Sequence, residues 1–258
     1  MTGGIPMVPR PSRLRRFSGS LLILLLLSGL IGIIYLQTNR YAALAETSAC
    51  WIDNPQAHIT RERVSFVPPD HDFSTGVIIY PGGNVDFLAY APLAGRISAG
   101  KYPVFVQKMP LDLAVFGIQR GLRIMADYPD IENWVVVGHS LGGAMAARFA
   151  LDHTDRIQAV VLLAAYPDVD LSKSDLAVLS MAGDRDGVLN RQRYAASLPL
   201  LPDTAEIRSI PGGNHAGFAH YGPQRGDEVP LLTREQQQNM AAEEILILLQ
   251  KLESEPDS

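Results

Sequence analysis

The sequence is poor in cysteine and in charged residues. Its 258 residues include one cysteine, Cys50, and charged residues make up 19% of the chain. A single cysteine excludes an intrachain disulfide and a thiolate cage for a metal ion. There is also no P-loop, no paired Cys-x-x-Cys and no His-Glu-x-x-His segment, so the sequence predicts no metal site.

Basic residues are not in excess either. The formal net charge is −5, which argues against a nucleic acid partner because phosphate binding needs a basic face. Hydrophobic residues make up 47% of the chain, enough for a packed core. The length fits one sizeable domain plus an additional segment.

That additional segment lies at the N-terminus. Residues 1–20 have no acidic residue and carry four arginines, and residues 21–36 are an uncharged, mostly aliphatic run. With residues 17–20 added, a helix of this length roughly reaches across the ~30 Å hydrocarbon layer of a membrane. The pattern predicts a signal anchor with a cytoplasmic N-terminus and the rest of the chain on the extracytoplasmic side. The alternative is a signal peptide cut at the Ala-x-Ala-type site ending at Ala45, which would release the remainder.

The rest of the chain divides into a linker over residues 37–58, a domain over residues 59–252 and a tail over residues 253–258. Short apolar runs such as GVIIY (76–80) and NWVVVG (133–138) predict buried parallel strands. Helix-length segments separate these strands, which requires crossover connections. We therefore predict an α/β domain with a mostly parallel central sheet, helices on both faces and no large lid domain.

One strand-to-helix junction carries a Gly-x-Ser-x-Gly motif. In VVVGHSLGG, Gly138 and Gly142 lie two residues before and after Ser140. A tight turn there holds the serine hydroxyl above the sheet and points the amides of the next helix at it. This setting predicts a nucleophile; the alternative is a serine that caps the helix. His139 is expected to point away from the turn.

A nucleophilic serine needs a base, and the base needs an orienting acid. Asp186 follows a later strand in a Gly-x-x-Asp spacing and is preferred to Asp184, while His215 follows the last strand and is preferred to His220. The chain order Ser140, Asp186, His215 is the order expected for such a sheet.

An oxyanion would need two backbone donors. We predict the amide of Leu141, and that of Gly83 in the YPGGNVD loop, with Asn84 as the second choice for the latter. The glycines there permit close approach of the backbone.

Pocket residues are predicted from two loops. Met109, Leu111 and Phe116 follow a strand at the carboxyl edge of the sheet and would form the wall of an acyl pocket, with Asn84 nearby; core packing is the alternative. The loop after His215 would contribute polar contacts at the mouth from Tyr221, Gln224 and Asp227, although long loops are also simply surface.

Together GHSLGG, YPGG, the Asp186 loop and GGNHAGF resemble the α/β-hydrolase superfamily over roughly residues 60–250. Further segments, including FVQKMPLDLAVFG and GGNHAGFAHYGPQRGDEV, are similar to compact, often membrane-anchored bacterial α/β hydrolases that are sometimes called dienelactone-hydrolase-like. True dienelactone hydrolases use a cysteine where Ser140 stands. The resemblance implies a serine hydrolase without a metal or organic cofactor, and it does not supply a substrate. The leading hypothesis is a membrane-anchored serine hydrolase that acts on a small-molecule ester, or on a thioester or amide. The alternatives are a catalytically silent binding or scaffold domain and a peptidase; a dehalogenase would have an aspartate at position 140.

Overall fold

The computed structural model describes residues 13–52, 54–69 and 73–254, and the chain forms two compact units, Met1–Asn39 and Arg40–Ser258. The first unit contains one helix, α1 (Arg13–Thr38). The window Leu21–Thr38 has a mean hydropathy of 2.3 and none of it is buried, so α1 is long and apolar enough to cross a membrane, as a signal sequence would also be. Residues 1–12 of the predicted basic segment lie outside the described residues, as do residues 255–258 of the tail.

The second unit is built on one eight-stranded sheet in the order β1-β2-β4-β3-β5-β6-β7-β8. β1 and β2 pair antiparallel, as do β2 and β4, and the other neighbours are parallel. The strands are β1 (Ala57–Ile59), β2 (Arg63–Phe66), β3 (Thr75–Tyr80), β4 (Val104–Gln107), β5 (Asn133–His139), β6 (Ile157–Leu163), β7 (Ala177–Gly183) and β8 (Glu206–Ile210). The predicted mostly parallel sheet is confirmed.

Helices cover both faces of this sheet, as predicted. They are α2 (Ala91–Ser98), α3 (Gly121–Asp127), α4 (Leu141–Asp152), α5 (Arg191–Ser197) and α6 (Arg234–Ser254). Side chains alternate along β3, so Val77 and Ile79 join the core under α2 and α6, while Ile78 and Tyr80 join the core under α3 and α4. Central strands buried on both faces explain the continuous apolar runs in the sequence.

The segment between β4 and β5 is not one continuous helix. Two 3₁₀ turns, Ala114–Phe116 and Ile118–Arg120, precede α3. The Tyr80 phenol donates to the carbonyl of Ile118 (2.5 Å) and accepts from the amide of Gly121 (3.1 Å). These bonds tie the segment to the end of β3, which interrupts a longer helix.

The predicted linker over residues 37–58 also requires correction. From Arg40 onward this segment belongs to the second unit, with backbone bridges from Tyr41 to Val85 and from Ala43 to Tyr221. A 3₁₀ helix (Ala45–Cys50) and the edge strand β1 follow. Pairing with distant backbone, which local composition does not reveal, makes it part of the domain.

Candidate active site

The turn between β5 and α4 is held by close backbone contacts. A Cβ atom on Gly138 would lie 2.4 Å from Cα of Gly143, and one on Gly142 would lie 2.3 Å from the carbonyl oxygens of Tyr80 and Pro81. Both distances are far below van der Waals contact. The two glycines of the motif are thus required by packing, as the sequence suggested.

Ser140 sits at the apex of this turn with φ 52° and ψ −123°. Non-glycine residues rarely adopt positive φ, and such strain concentrates at functional sites. Although Ser140 is at the N-cap position of α4, its side chain makes no capping hydrogen bond. The capping alternative therefore lacks the bond that would define it, and the hydroxyl remains available for another role.

Asp186 and His215 form a buried pair. His215 Nδ1 lies 2.8 Å from Asp186 Oδ2, and both side chains are at most 2% exposed. The other carboxylate oxygen accepts from the amides of Val188 (2.9 Å) and Leu189 (2.7 Å), which fixes its orientation. A carboxylate only accepts hydrogen bonds, so a neutral His215 carries its proton on Nδ1 and keeps the lone pair of Nε2. Nε2 is buried and has no partner among the described residues.

The two competing residues lie in other environments. Asp184 is exposed and accepts from the amide of Gly212 (2.7 Å), which closes a turn after β8. His220 contacts Gln238 (3.0 Å) and Glu235 (3.2 Å) of α6, and burial lowers its pKa. The structure brings Asp186 to His215 and assigns Asp184 and His220 to structural contacts.

Gly83, in the loop after β3, lies beside Leu141 of the elbow. Gly82 donates its amide to the Tyr90 hydroxyl (2.8 Å) and Asn84 donates its amide to the Asp112 carbonyl (2.8 Å), which leaves the Gly83 amide between them. Gly83 lies against Leu141, because a Cβ atom added to it would be 3.1 Å from Leu141 Cδ2. The amide of Leu141, at the start of α4, has no acceptor within the helix. The amide of Asn84, the second choice from the sequence, is thus already bonded to the Asp112 carbonyl.

His139 joins these two parts of the site, a link that the sequence did not predict. Its Nδ1 lies 2.7 Å from the Tyr90 hydroxyl, and its Nε2 lies 3.1 Å from the carbonyl oxygen of His215. A carbonyl only accepts, so Nε2 carries the proton and Nδ1 accepts from the Tyr90 O–H, whose pKa is raised by burial. Burial and the neighbouring His215 hold the pKa of His139 well below its usual value, and the ring is neutral.

Asp227 also differs from its predicted place at the pocket mouth. Its carboxylate accepts from the backbone amides of His215 (3.2 Å), Ala216 (2.9 Å) and Gly187 (3.1 Å). It therefore joins the loop after β7 to the loop after β8. A polar residue in a turn-rich loop gave no signal of this role.

The predicted pocket residues separate by burial. Leu111 is 38% exposed and Phe116 is 60% exposed, whereas Met109 (2%) and Tyr221 (0%) belong to the two cores. Tyr221 donates to the Gln224 side chain (2.8 Å), so both are engaged with each other. Of the predicted pocket residues, Leu111 and Phe116 are exposed and Asn84 is half-buried. In the described parts of the chain, no group of three or more His, Cys, Asp or Glu side chains could hold a metal ion.

Comparison with a family model identifies the family of this chain, and similar solved structures share its fold. The model of the alpha/beta hydrolase family matches residues 76–239. No curated protein matches the sequence. Among solved structures, a CIB-like hydrolase from Thermoplasma acidophilum is similar at 15% identity and a TM-score of 0.54, covering 71% of this chain and 91% of its own. Naproxen esterase from Bacillus subtilis is similar at 12% identity and a TM-score of 0.55, covering 79% of this chain and 94% of its own. A carboxylesterase from the same organism is similar at 12% identity and a TM-score of 0.51, covering 66% of this chain and 88% of its own. The chain belongs to the alpha/beta hydrolase family.

Proposed function

We propose that this hydrolase cleaves a carboxylic ester through an acyl-enzyme formed on Ser140. The observation that carries the proposal is the buried Asp186–His215 pair, 2.8 Å apart, with His215 Nε2 left without a partner in the described structure. Ser140, the residue after His139, is held with φ 52° and makes no capping bond. The esterases among the similar structures are compatible with this chemistry, although at 12% identity they support the fold alone.

The reaction then follows from the roles of these groups. Ser140 Oγ bonds to the acyl carbon while its proton passes to His215 Nε2, and Asp186 stabilises the resulting imidazolium. The oxygen that becomes negative accepts from the amides of Leu141 and Gly83. The intermediate collapses, the C–O bond to the leaving group breaks, and the alkoxide takes the proton from His215. Water then adds to the acyl-enzyme with His215 as base, and the acid departs as Ser140 regains its proton.

Labelling with a fluorophosphonate probe tests this assignment. Wild-type protein should be labelled and should hydrolyse short p-nitrophenyl esters, whereas Ser140→Ala should do neither. Equal labelling of the two proteins would overturn the proposal. A parallel panel of thioesters and peptides distinguishes an esterase from a thioesterase or peptidase, and an absence of all turnover and labelling in wild type would favour the silent binding domain.

We further propose that α1 is retained as a single-pass anchor, with the catalytic domain on the extracytoplasmic side. Arg10, Arg13, Arg15 and Arg16 precede the apolar run, and positive charge before a first span favours a cytoplasmic N-terminus. Protease treatment of intact cells or spheroplasts should digest the catalytic domain. Protection of that domain until the membrane is opened would contradict the orientation.

A further inference from the structure

A short segment at the start of the second unit contacts both loops of the candidate site. This clamp segment, residues 40–44, bonds first to the loop after β3. The amide of Tyr41 donates to the carbonyl of Asn84 (2.9 Å), and the carbonyl of Tyr41 accepts from the amide of Asp86 (2.9 Å). These bonds flank Val85 and lie directly beyond Gly83, whose amide is the proposed oxyanion donor.

The same segment then bonds to the loop that carries His215. Ala43 forms a bridge with Tyr221, and the amide of Leu44 donates to the carbonyl of His220 (2.9 Å). The rings of Tyr41 and Tyr221 pack at 5.5 Å between centroids. The clamp segment therefore joins the oxyanion loop to the loop that carries His215.

Arg40 adds a charge contact to this arrangement. Its Nε lies 2.6 Å from Asp112 Oδ2, and its Nη2 lies 3.1 Å from Asp86 Oδ2. The Asp112 side chain is only 5% exposed; burial and the charge of Asp86 raise its pKa, and Arg40 opposes this shift. Without Arg40, the two neighbouring carboxylates would lose the guanidinium group that bridges them, and repulsion would separate the loops that carry them.

Asp112 connects this charge contact to the oxyanion donor. Its carbonyl accepts the amide of Asn84 at 2.8 Å, and Asp112 and Asn84 both have positive φ, 56° and 61°. Such backbone conformations persist only where surrounding contacts fix them. The direction of the Gly83 amide therefore depends on contacts that Arg40 and Tyr41 supply from more than 40 residues away in sequence.

We propose that Arg40 is a positioning residue for the oxyanion loop, that Tyr41 shares this role through its backbone, and that the active protein retains the clamp segment. This inference rests on the proposed serine hydrolase function. Cleavage at the Ala-x-Ala-type site would separate residues 40–45 from the catalytic domain. In the folded protein, Ala45 is the first residue of a 3₁₀ helix, and Leu44 before it is bonded to His220. The cleavage site therefore directly follows the clamp segment.

The kinetic test uses full-length Arg40→Ala and Arg40→Lys, with the exposed Arg61→Ala as the matched control. Activity on p-nitrophenyl acetate is expressed per active site titrated with fluorophosphonate, so unfolded protein does not count. A misplaced oxyanion donor weakens the transition state more than substrate binding, so Arg40→Ala should lower kcat by about tenfold or more while KM changes by less than about twofold. Arg40→Lys should recover part of kcat, and Arg61→Ala should match wild type.

An unchanged kcat per titrated site in Arg40→Ala would overturn the inference. If Arg40→Ala does not fold, Arg40→Ala/Asp112→Asn replaces it, because it removes the carboxylate left without a cation. That variant should stay at least about fivefold below wild type, since the contact with Asp86 is also lost, and wild-type kcat would overturn the inference. If wild type itself neither reacts with the probe nor turns over, the proposed function fails instead.

Peptide mapping tests the retained segment in the protein as cells make it. Fluorophosphonate-labelled protein, collected from both the membrane and the soluble fractions, should contain residues 40–45. Labelled protein that begins at Glu46 would show that the active form lacks the clamp segment, and would overturn this part of the inference.

Discussion

The elbow, residues 138–143, and the histidine loop, residues 211–233, are both needed for the proposed site but are held in different ways. In the elbow, backbone packs on backbone so closely that Gly138 and Gly142 leave no room for a Cβ atom. In the histidine loop, side chains of other elements form hydrogen bonds with the backbone. The Gln237 side chain of α6 accepts from the amide of Asn214 (3.0 Å) and donates to its carbonyl (2.7 Å), and His139 Nε2 lies 3.1 Å from the His215 carbonyl oxygen. Close backbone packing thus holds the proposed nucleophile, and polar side-chain contacts hold the proposed base.

The comparison predicts that changes in the elbow reduce stability, whereas polar changes around the histidine loop reduce activity with little unfolding. The largest effect is expected for Asp186→Asn. The amide would keep the shape of the carboxylate, but its NH2 group would donate to His215 Nδ1 and favour the wrong tautomer, so kcat for ester hydrolysis should fall by about 10³- to 10⁴-fold.

Asp184→Asn is its matched control. Asp184 accepts a bond from Gly212, which an asparagine oxygen can also accept, so this variant should keep wild-type kcat. If kcat fell by a similar factor in Asp184→Asn and Asp186→Asn, the different roles given to these two aspartates would be wrong.

In the elbow, Gly142→Ala should lower the free energy of unfolding by at least about 3 kcal/mol, because its Cβ atom would overlap the Tyr80 and Pro81 carbonyl oxygens. Chemical denaturation measures this. Gly222→Ala is the control, since nothing lies within 4 Å of the added atom. If both variants were equally stable, the steric account of the elbow would be wrong.

In the histidine loop, Asp227→Ala should lower kcat by about 10- to 100-fold, because the amides of His215 and Ala216 lose their acceptor and the imidazole moves. The thermal midpoint should fall only slightly relative to the exposed control Asp203→Ala. If Asp227→Ala lowered the thermal midpoint but left the kcat of the folded protein unchanged, Asp227 would have a purely structural role.

The smallest expected effect is on the pH dependence of stability, through His139, which links the two regions. The pKa of His139 is lowered in the folded state, so below about pH 6.5 the unfolded chain binds a proton that the folded chain does not. Stability should therefore fall as the pH drops from 6.5 toward the folded-state pKa, by up to about 1.4 kcal/mol per pH unit from this group.

His139→Asn should reduce that slope, whatever it does to stability at pH 7, and the exposed control His58→Asn should not. Because burial also lowers the pKa of His220, part of the slope should persist in His139→Asn. An unchanged slope in His139→Asn would mean that its imidazole does not titrate differently on unfolding.

The sequence determined those features whose cause is local. Apolar runs predicted the central strands, glycine spacing predicted the turn at Ser140, and an uncharged run predicted the apolar helix α1, because periodicity, motif spacing and run length are properties of neighbouring residues. The Gly-x-x-Asp spacing favoured Asp186 over Asp184, and the structure brings Asp186 to His215. Tertiary structure alone decided that Asp227 and His139 support the histidine loop and that residues 40–44 belong to the domain. Those outcomes depend on hydrogen bonds and ion pairs between segments tens of residues apart, and the residue pattern of one segment does not reveal which distant segment it contacts.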